Sequence, residues 1–580
     1  MTDVGEWERA AAAVLRKSGR LGADDTDSAV WDKLTRRTLD GLSVRPLGIP
    51  GRTIPAVPAP HRESSQWDVR VASAGGADAL AELETGAASL WLRVPAGADA
   101  GWYDAALEGV LLDLAPVVLD GADSAAAAHF VSWLGSAPTP ADGTGLGLDP
   151  WGEWLRARLA GASAPVPDLA ATADLAITAA NAGILALSVD GTAVHDAGGS
   201  DAWEVAVTLA AGVGYLRALT AAGMGIDQAL GTLEFRYAVT DEQFPAIAKL
   251  RAARRCWARI AELSGAPHAA VQRQHAVTSR PMMTRYDPWV NLLRTTVAAF
   301  AAGAGGADAV TVLPYDAALG TSDAGARRWA RNISALLISE SHIGAVIDPA
   351  AGSFAVEDLT DQLAEAAWTH FGEIERAGGL ANAAELLIDA VAETGGQRQR
   401  LVANRRLPIT GVSEFPLLTE HLPERDADPT WPRVSSYAGA FEALRDLPAE
   451  QSVFLATMGP IAAHTARATF AANLFAAGGV ATDAAGPTST AAELTAAYAG
   501  HPVVCLAGSD SAYAEWGHEA VAGLRAAGAR WVILAGKPGE ATLAADLIDD
   551  SCALGLDALA FLHRTRDQLA AGSHQSEVAR

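Results

Sequence analysis

The chain has 580 residues, half of them apolar and 19% charged, with a formal net charge of −25. This is a globular composition too long for one core, so two to four domains are expected, and the acidity argues against nucleic-acid binding and does nothing to favour a polyanionic ligand. The three cysteines, Cys256, Cys505 and Cys552, lie far apart with no C-x-x-C pair. That speaks against a disulfide framework or a zinc site and points to a reducing cytoplasm. No apolar run reaches the ~20 residues that span a bilayer, and acids precede the Ala-rich run at the N-terminus, so that run does not read as a signal peptide.

Residues 1–35 read as a helical arm. Trp7, Ala11, Val14 and Leu15 share one face, Arg16 and Lys17 stand at the end, and Gly19 can cap it. Such an arm has to bury its stripe on this chain or on a partner. From 36 to 410 short apolar runs alternate with helical stretches: 89–94, 116–120, 183–191, 232–239 and 309–315 are strand candidates. Strand–helix alternation over this length suggests a parallel (β/α)8 TIM barrel. Residues 411–450, rich in Pro and charge, form a linker whose length suggests a path across a surface. Three further strand–helix units over 451–570 suggest a flavodoxin-like, doubly wound domain, followed by a disordered tail at 571–580. The fold class is therefore α/β.

Several blocks resemble the barrel of the methylmalonyl-CoA mutases, which are adenosylcobalamin-dependent acyl-CoA mutases. They are WDKLTRRTLDGLSVRPLG (31–48), GMGIDQ (223–228), AKLRAARRCWARI (248–260), TSRPMMTRYDPWVNLLRTT (278–296) and ARNISALLISESHIGAVIDPAAGSFAVEDLT (330–360). Their order is preserved, and the final domain sits where that family binds cobalamin. The resemblance implies a cytoplasmic isomerase of propionate metabolism that interconverts methylmalonyl-CoA and succinyl-CoA. The cofactor supplies the radical and the protein seats the CoA and the migrating group.

The family's site motifs are altered here. The cobalt-ligand motif D-x-H-x-x-G falls on Ile461, Ala463 and Ala466, with His464 one residue beyond the ligand position; in a helix that step turns the side chain by about 100°. Ala507 and Ser509 stand where an S-x-L segment contacts the nucleotide tail, and Ala535-Gly536 where a Gly-Gly pair does. In the barrel, Ala72 replaces a Tyr beside the thioester. Thr192 replaces a Tyr, and Ala193 replaces the neighbouring His that hydrogen-bonds the thioester carbonyl. His195 lies two residues on, which on a strand keeps the face but moves it about 7 Å. Arg273 and His275 do match a polar block of the substrate cavity. Three readings stand for them: vestigial residues, stabilisers of the barrel end by buried hydrogen bonding, or substrate-binding groups. No catalytic, cofactor-binding or metal residue is therefore expected; Arg273, His275 and His464 are the remaining candidates.

The resemblance then implies the non-catalytic small subunit of an αβ heterodimer, with the cofactor and acyl-CoA bound by a homologous catalytic large subunit. A self-sufficient divergent mutase is the first alternative, and needs His464 or another residue to take over the cobalt. A docking platform for chaperones that load B12 enzymes is the second. No P-loop, G-x-S-x-G, H-E-x-x-H or Rossmann G-x-G-x-x-G is present, and GAGGAD (303–308) reads as a helix-ending loop.

Overall fold

Short β-branched runs separated by long Ala-rich amphipathic stretches can bury both faces only by wrapping helices around a parallel sheet. Eight such strands close on themselves: β1 Asp68–Ser73, β2 Ser89–Arg93, β3 Val117–Asp120, β4 Gly145–Leu148, β5 Leu185–Asp190, β6 Leu233–Val239, β7 Arg273–Thr278 and β8 Ala309–Thr311. Each pairs parallel with the next, and β8 closes the barrel by pairing with β1 (Ala309 opposite Asp68). The structure is a computed structural model. It describes residues 4–49, 56–62, 66–135, 139–429, 431, 433–539 and 543–578, with side chains as far as Ala571.

The barrel is the expected one, although β1, β4 and β7 were not among the five expected strands. β4 is the least legible, because its sequence is Gly-Leu-Gly-Leu. Gly147 adopts φ +59°, and a Cβ there would run into the Leu119 carbonyl on β3. Close strand approach thus demands the residue that hides the strand. The GAGGAD stretch does end a helix, Val290–Gly305, which is capped by left-handed Gly306.

Outside the barrel, helices Asp201–Ala221 and Gln243–Leu263 are covered by a further helix, Phe354–Arg376. This extra layer explains why Ala202–Gly212 is buried on every side and shows no amphipathic stripe.

A separate five-stranded parallel sheet follows: β9 Val453–Thr457, β10 Thr482–Ala484, β11 Val503–Ala507, β12 Trp531–Ala535 and β13 Asp550–Cys552, in the order β10-β9-β11-β12-β13. The order is doubly wound, with its switch point between β9 and β11. Phe475 and Phe561 fill one face of the sheet; Tyr513 and Leu524 fill the other.

The described residues of 411–450 touch both the barrel and the second sheet: they include a helix, Gly439–Asp446, whose Phe441 and Leu444 are buried in the core of that sheet with Val412. Arg425 reaches Asp316 and Asp323 at 2.6 and 2.7 Å, and Glu442 accepts from Arg285. The segment read as a tail continues a helix, Ala558–Val578. In the arm, helix Val4–Lys17 buries Ala12 and Leu15 against Leu21 and Val30, with Trp7 packed on Trp31. Val14, expected on the buried face, is 67% exposed. Among the described residues no helix is long and apolar enough to cross a membrane.

Candidate functional site

β6 reads Leu-Glu-Phe-Arg-Tyr-Ala-Val. Period-two alternation sends Phe235 and Tyr237 outward to the helices, where they meet Trp257 and Thr208. Glu234 and Arg236 therefore face the barrel axis. Buried charges must be paired, and these are. Arg70 on β1 places Nη1 2.8 and 2.9 Å from the two oxygens of Glu234, and its Nε and Nη2 donate to Asp68, with Ser89 beside them.

One layer nearer the C-terminal mouth, Arg236 Nη1 donates to Asp190 at 2.9 Å, and its guanidinium lies 4.2 Å from the Trp91 ring centroid. Its Nε donates to His275 Nδ1 at 3.3 Å, while His275 Nε2 pairs with Thr311 Oγ1 at 2.8 Å. His275 meets Trp91 edge-on at 5.3 Å. Burial, reinforced by Arg70 and Arg236, pushes its pKa well down, so it is neutral with the ring hydrogen directed at Thr311. For Asp190 burial works the other way, but Arg156 and Arg236 outweigh it and keep the carboxylate ionised. Side chains from β1, β2, β5, β6, β7 and β8 thus meet across the interior. A cavity of about 60 Å³ beside β1 and β8 compares poorly with the ~300 Å³ or more of a ligand pocket.

The altered motif positions lie around this plug. Ala72 stands in register with Trp91. Thr192 and Ala193 open a short helix, Thr192–Asp196, immediately after β5. The step from Ala193 to His195 is therefore helical rather than extended, and it turns the side chain by about 200°. His195 is buried, its Nε2 2.7 Å from Ser279 Oγ, and its Nδ1 is 3.9 Å from Glu204. Thr192 donates to Asp190. His195, Asp201 and Glu204 come within a metal-like span of 4.8 Å. The Lys249 ammonium already occupies that cluster, 2.8 Å from Asp201 and 2.6 Å from Glu204. Burial alone would lower the Lys249 pKa; the two carboxylates outweigh it and raise it, so the lysine is the cation of the site. Above this mouth the linker crosses: Ser435 N donates to the Asp196 carbonyl and Tyr437 N to that of Pro281.

Arg273 and His275, two residues apart on β7, do not share a site. Arg273 lies at the N-terminal mouth, paired with Asp142 at 3.0 Å and 3.5 Å from His61, beside a pocket of about 240 Å³. His275 sits in the interior.

At the switch point of the second sheet, helix Ile461–Ala477 begins after left-handed Gly459. Ile461 is 65% exposed, and Ala463 offers only a methyl group. His464 turns inward, its Nδ1 3.1 Å from the Gly459 carbonyl. Arg467 donates to the Gly508 carbonyl at 2.7 Å and to Asp510, and it lies against Gly536. Tyr513 OH accepts from Gly508 N and reaches the Ala535 carbonyl at 2.9 Å. Ser509 caps helix Asp510–Ala526. The crevice between β9 and β11 is thus held shut by this chain's own polar groups.

Sequence reasoning did not identify Arg70, Trp91, Glu234, Arg236 or Arg467. A signal was present for β6, since charges alternating with aromatics in a strand must place the charges on one face.

Compared with known proteins, the chain matches a family model described as Methylmalonyl-CoA mutase over residues 153–489. It is 47% identical to the methylmalonyl-CoA mutase small subunit of Streptomyces virginiae, over 97% of this chain and 96% of that protein. It is 34% identical to the small subunit of Propionibacterium freudenreichii subsp. shermanii, over 97% and 94%. Against the methylmalonyl-CoA mutase large subunit of the same organism the match is 36%, over 41% of this chain and 33% of that protein.

Proposed function

Since the chain belongs to the methylmalonyl-CoA mutase family, we propose that it is the non-catalytic small subunit of a heterodimeric mutase interconverting methylmalonyl-CoA and succinyl-CoA. In this reading the homologous large subunit binds the acyl-CoA and adenosylcobalamin, whose cobalt–carbon bond supplies the radical. The small subunit keeps the fold, buries its own charges and stabilises its partner. The full-length match to small subunits, against a partial match to a large one, supports the pairing.

The observation that carries this reading is the filled barrel. An acyl-CoA seated in the barrel would have to displace Trp91 and break the Arg70–Glu234 and Arg236–Asp190 pairs. Breaking one such buried pair costs about 3–5 kcal/mol. The second sheet supports it too. Ala463 carries no lone pair for cobalt, the inward His464 is engaged with Gly459, and Arg467 spans the crevice. These residues do not fit a corrin.

The test is a cobalamin titration of the purified chain, read by visible absorbance after gel filtration. No corrin should co-elute until the large subunit is added. Stoichiometric binding by the chain alone, with the lower axial base displaced, would mean that a replacement ligand exists and that the chain is an enzyme in its own right.

A further inference from the structure

Both exposed tryptophans among the described residues, Trp289 and Trp329, occur together on the outside of the barrel. Trp289 stacks on Tyr315 at 4.6 Å, and Trp329 lies 5.6 and 5.8 Å from the two rings. The apolar surface continues down the neighbouring helices Val290–Gly305 and Ala324–Ser339 through Leu293 (68% exposed) and Leu336 (56%). It reaches Val346 (61%) and Ile347 beyond the turn Ile343–Ala345, which abuts both helices. Neither helix contains a single Asp or Glu, in a chain with 68 of them.

We propose that this two-helix face is the surface on which the homologous large subunit docks. The inference rests on the small-subunit reading and names the surface it uses. The six side chains leave on the order of 600 Å² open, most of the ~800 Å² that each partner gives to a standard interface. Exposed apolar side chains gathered on one two-helix face, interrupted by Asn332 between Trp329 and Leu336, mark a protein contact. Tryptophans held by ring stacking are ordered before binding, so they lose little freedom on docking. The missing acids matter for the choice of partner. A second copy would bring a net charge of −25 against −25, which favours a different chain as the occupant; it meets two helices without carboxylates, with Asp323 and Glu340 at the ends of the second.

The test is affinity for the large subunit of the same organism, using the full chain carrying Leu293→Glu and Leu336→Glu together. Both positions are exposed, so circular dichroism and thermal unfolding of the free chain should match wild type. Association should weaken at least a hundredfold. Leu111→Glu with Leu114→Glu, equally exposed elsewhere on the barrel, should bind as wild type does. Binding of the Leu293/Leu336 variant within threefold of wild type would overturn the surface. Self-association of the wild-type chain that the same variant abolishes would overturn the occupant in favour of a second copy. A wild-type chain that does not bind the large subunit at all would instead sink the small-subunit reading.

Discussion

Arg70 on β1 and Glu234 on β6 join strands three apart in the ring through the barrel interior, one guanidinium nitrogen lying 2.8 and 2.9 Å from the two carboxylate oxygens. Both side chains are almost fully excluded from solvent. Removing one partner leaves a buried charge uncompensated. Glu234→Gln should therefore cost about 3–5 kcal/mol in urea unfolding, whereas Arg70→Met combined with Glu234→Leu should recover most of that loss. An E234Q chain as stable as wild type would show that water reaches the pair.

His464→Ala should leave the mutase activity of the assembled complex within about threefold, because the ring only engages the Gly459 carbonyl and one such bond contributes about 1 kcal/mol to stability. A tenfold loss of activity with assembly intact would place His464 in the chemistry.

Asp40 gives a pH dependence. Burial, then the neighbouring Asp201, raise its carboxyl to about 6 from an ordinary 3.8. Between these values the folded chain binds the proton more tightly than the unfolded one. Its contribution to stability is therefore greatest below pH 3.8 and is lost as the pH rises through about 6. Asparagine cannot ionise, so Asp40→Asn should stabilise the chain by roughly 1–2 kcal/mol at pH 7.5 and have little effect near pH 4. Thermal unfolding of both proteins at the two pH values checks the sign. A gain confined to low pH would contradict it.

Deleting residues 1–35 should weaken association with the large subunit. The arm's core is Ala12, Leu15, Leu21 and Val30, all within the arm itself, too little apolar area to order two helices unaided. Equal affinity with and without the arm, measured by calorimetry, would remove it from the interface.

Much of the architecture was legible. Val-Val-Leu-Asp at β3 and Val-Val-Cys-Leu-Ala at β11 are short β-branched runs bounded by turns, and nothing but a buried parallel strand suits them. β10 and β13, three residues each, were too short to carry a pattern. The alanines at 193 and 463 were legible as well, because a methyl side chain offers neither a hydrogen bond nor a metal ligand whatever surrounds it.

What surrounds those positions was not legible. The chain alone determined the strand–helix alternation, the family blocks and the small side chains at Ala72, Ala193 and Ala463, since each depends on local side-chain type and spacing. Only the tertiary structure decided that Arg70 meets Glu234 across 164 residues of sequence, that Lys249 pairs with both Glu204 and Asp201, and that Arg467 reaches the Gly508 carbonyl across the second crevice. Closing a barrel brings side chains from distant strands to one axis. Whether that axis is a channel or a packed, ion-paired plug depends on which of them meet, and no local period records those meetings.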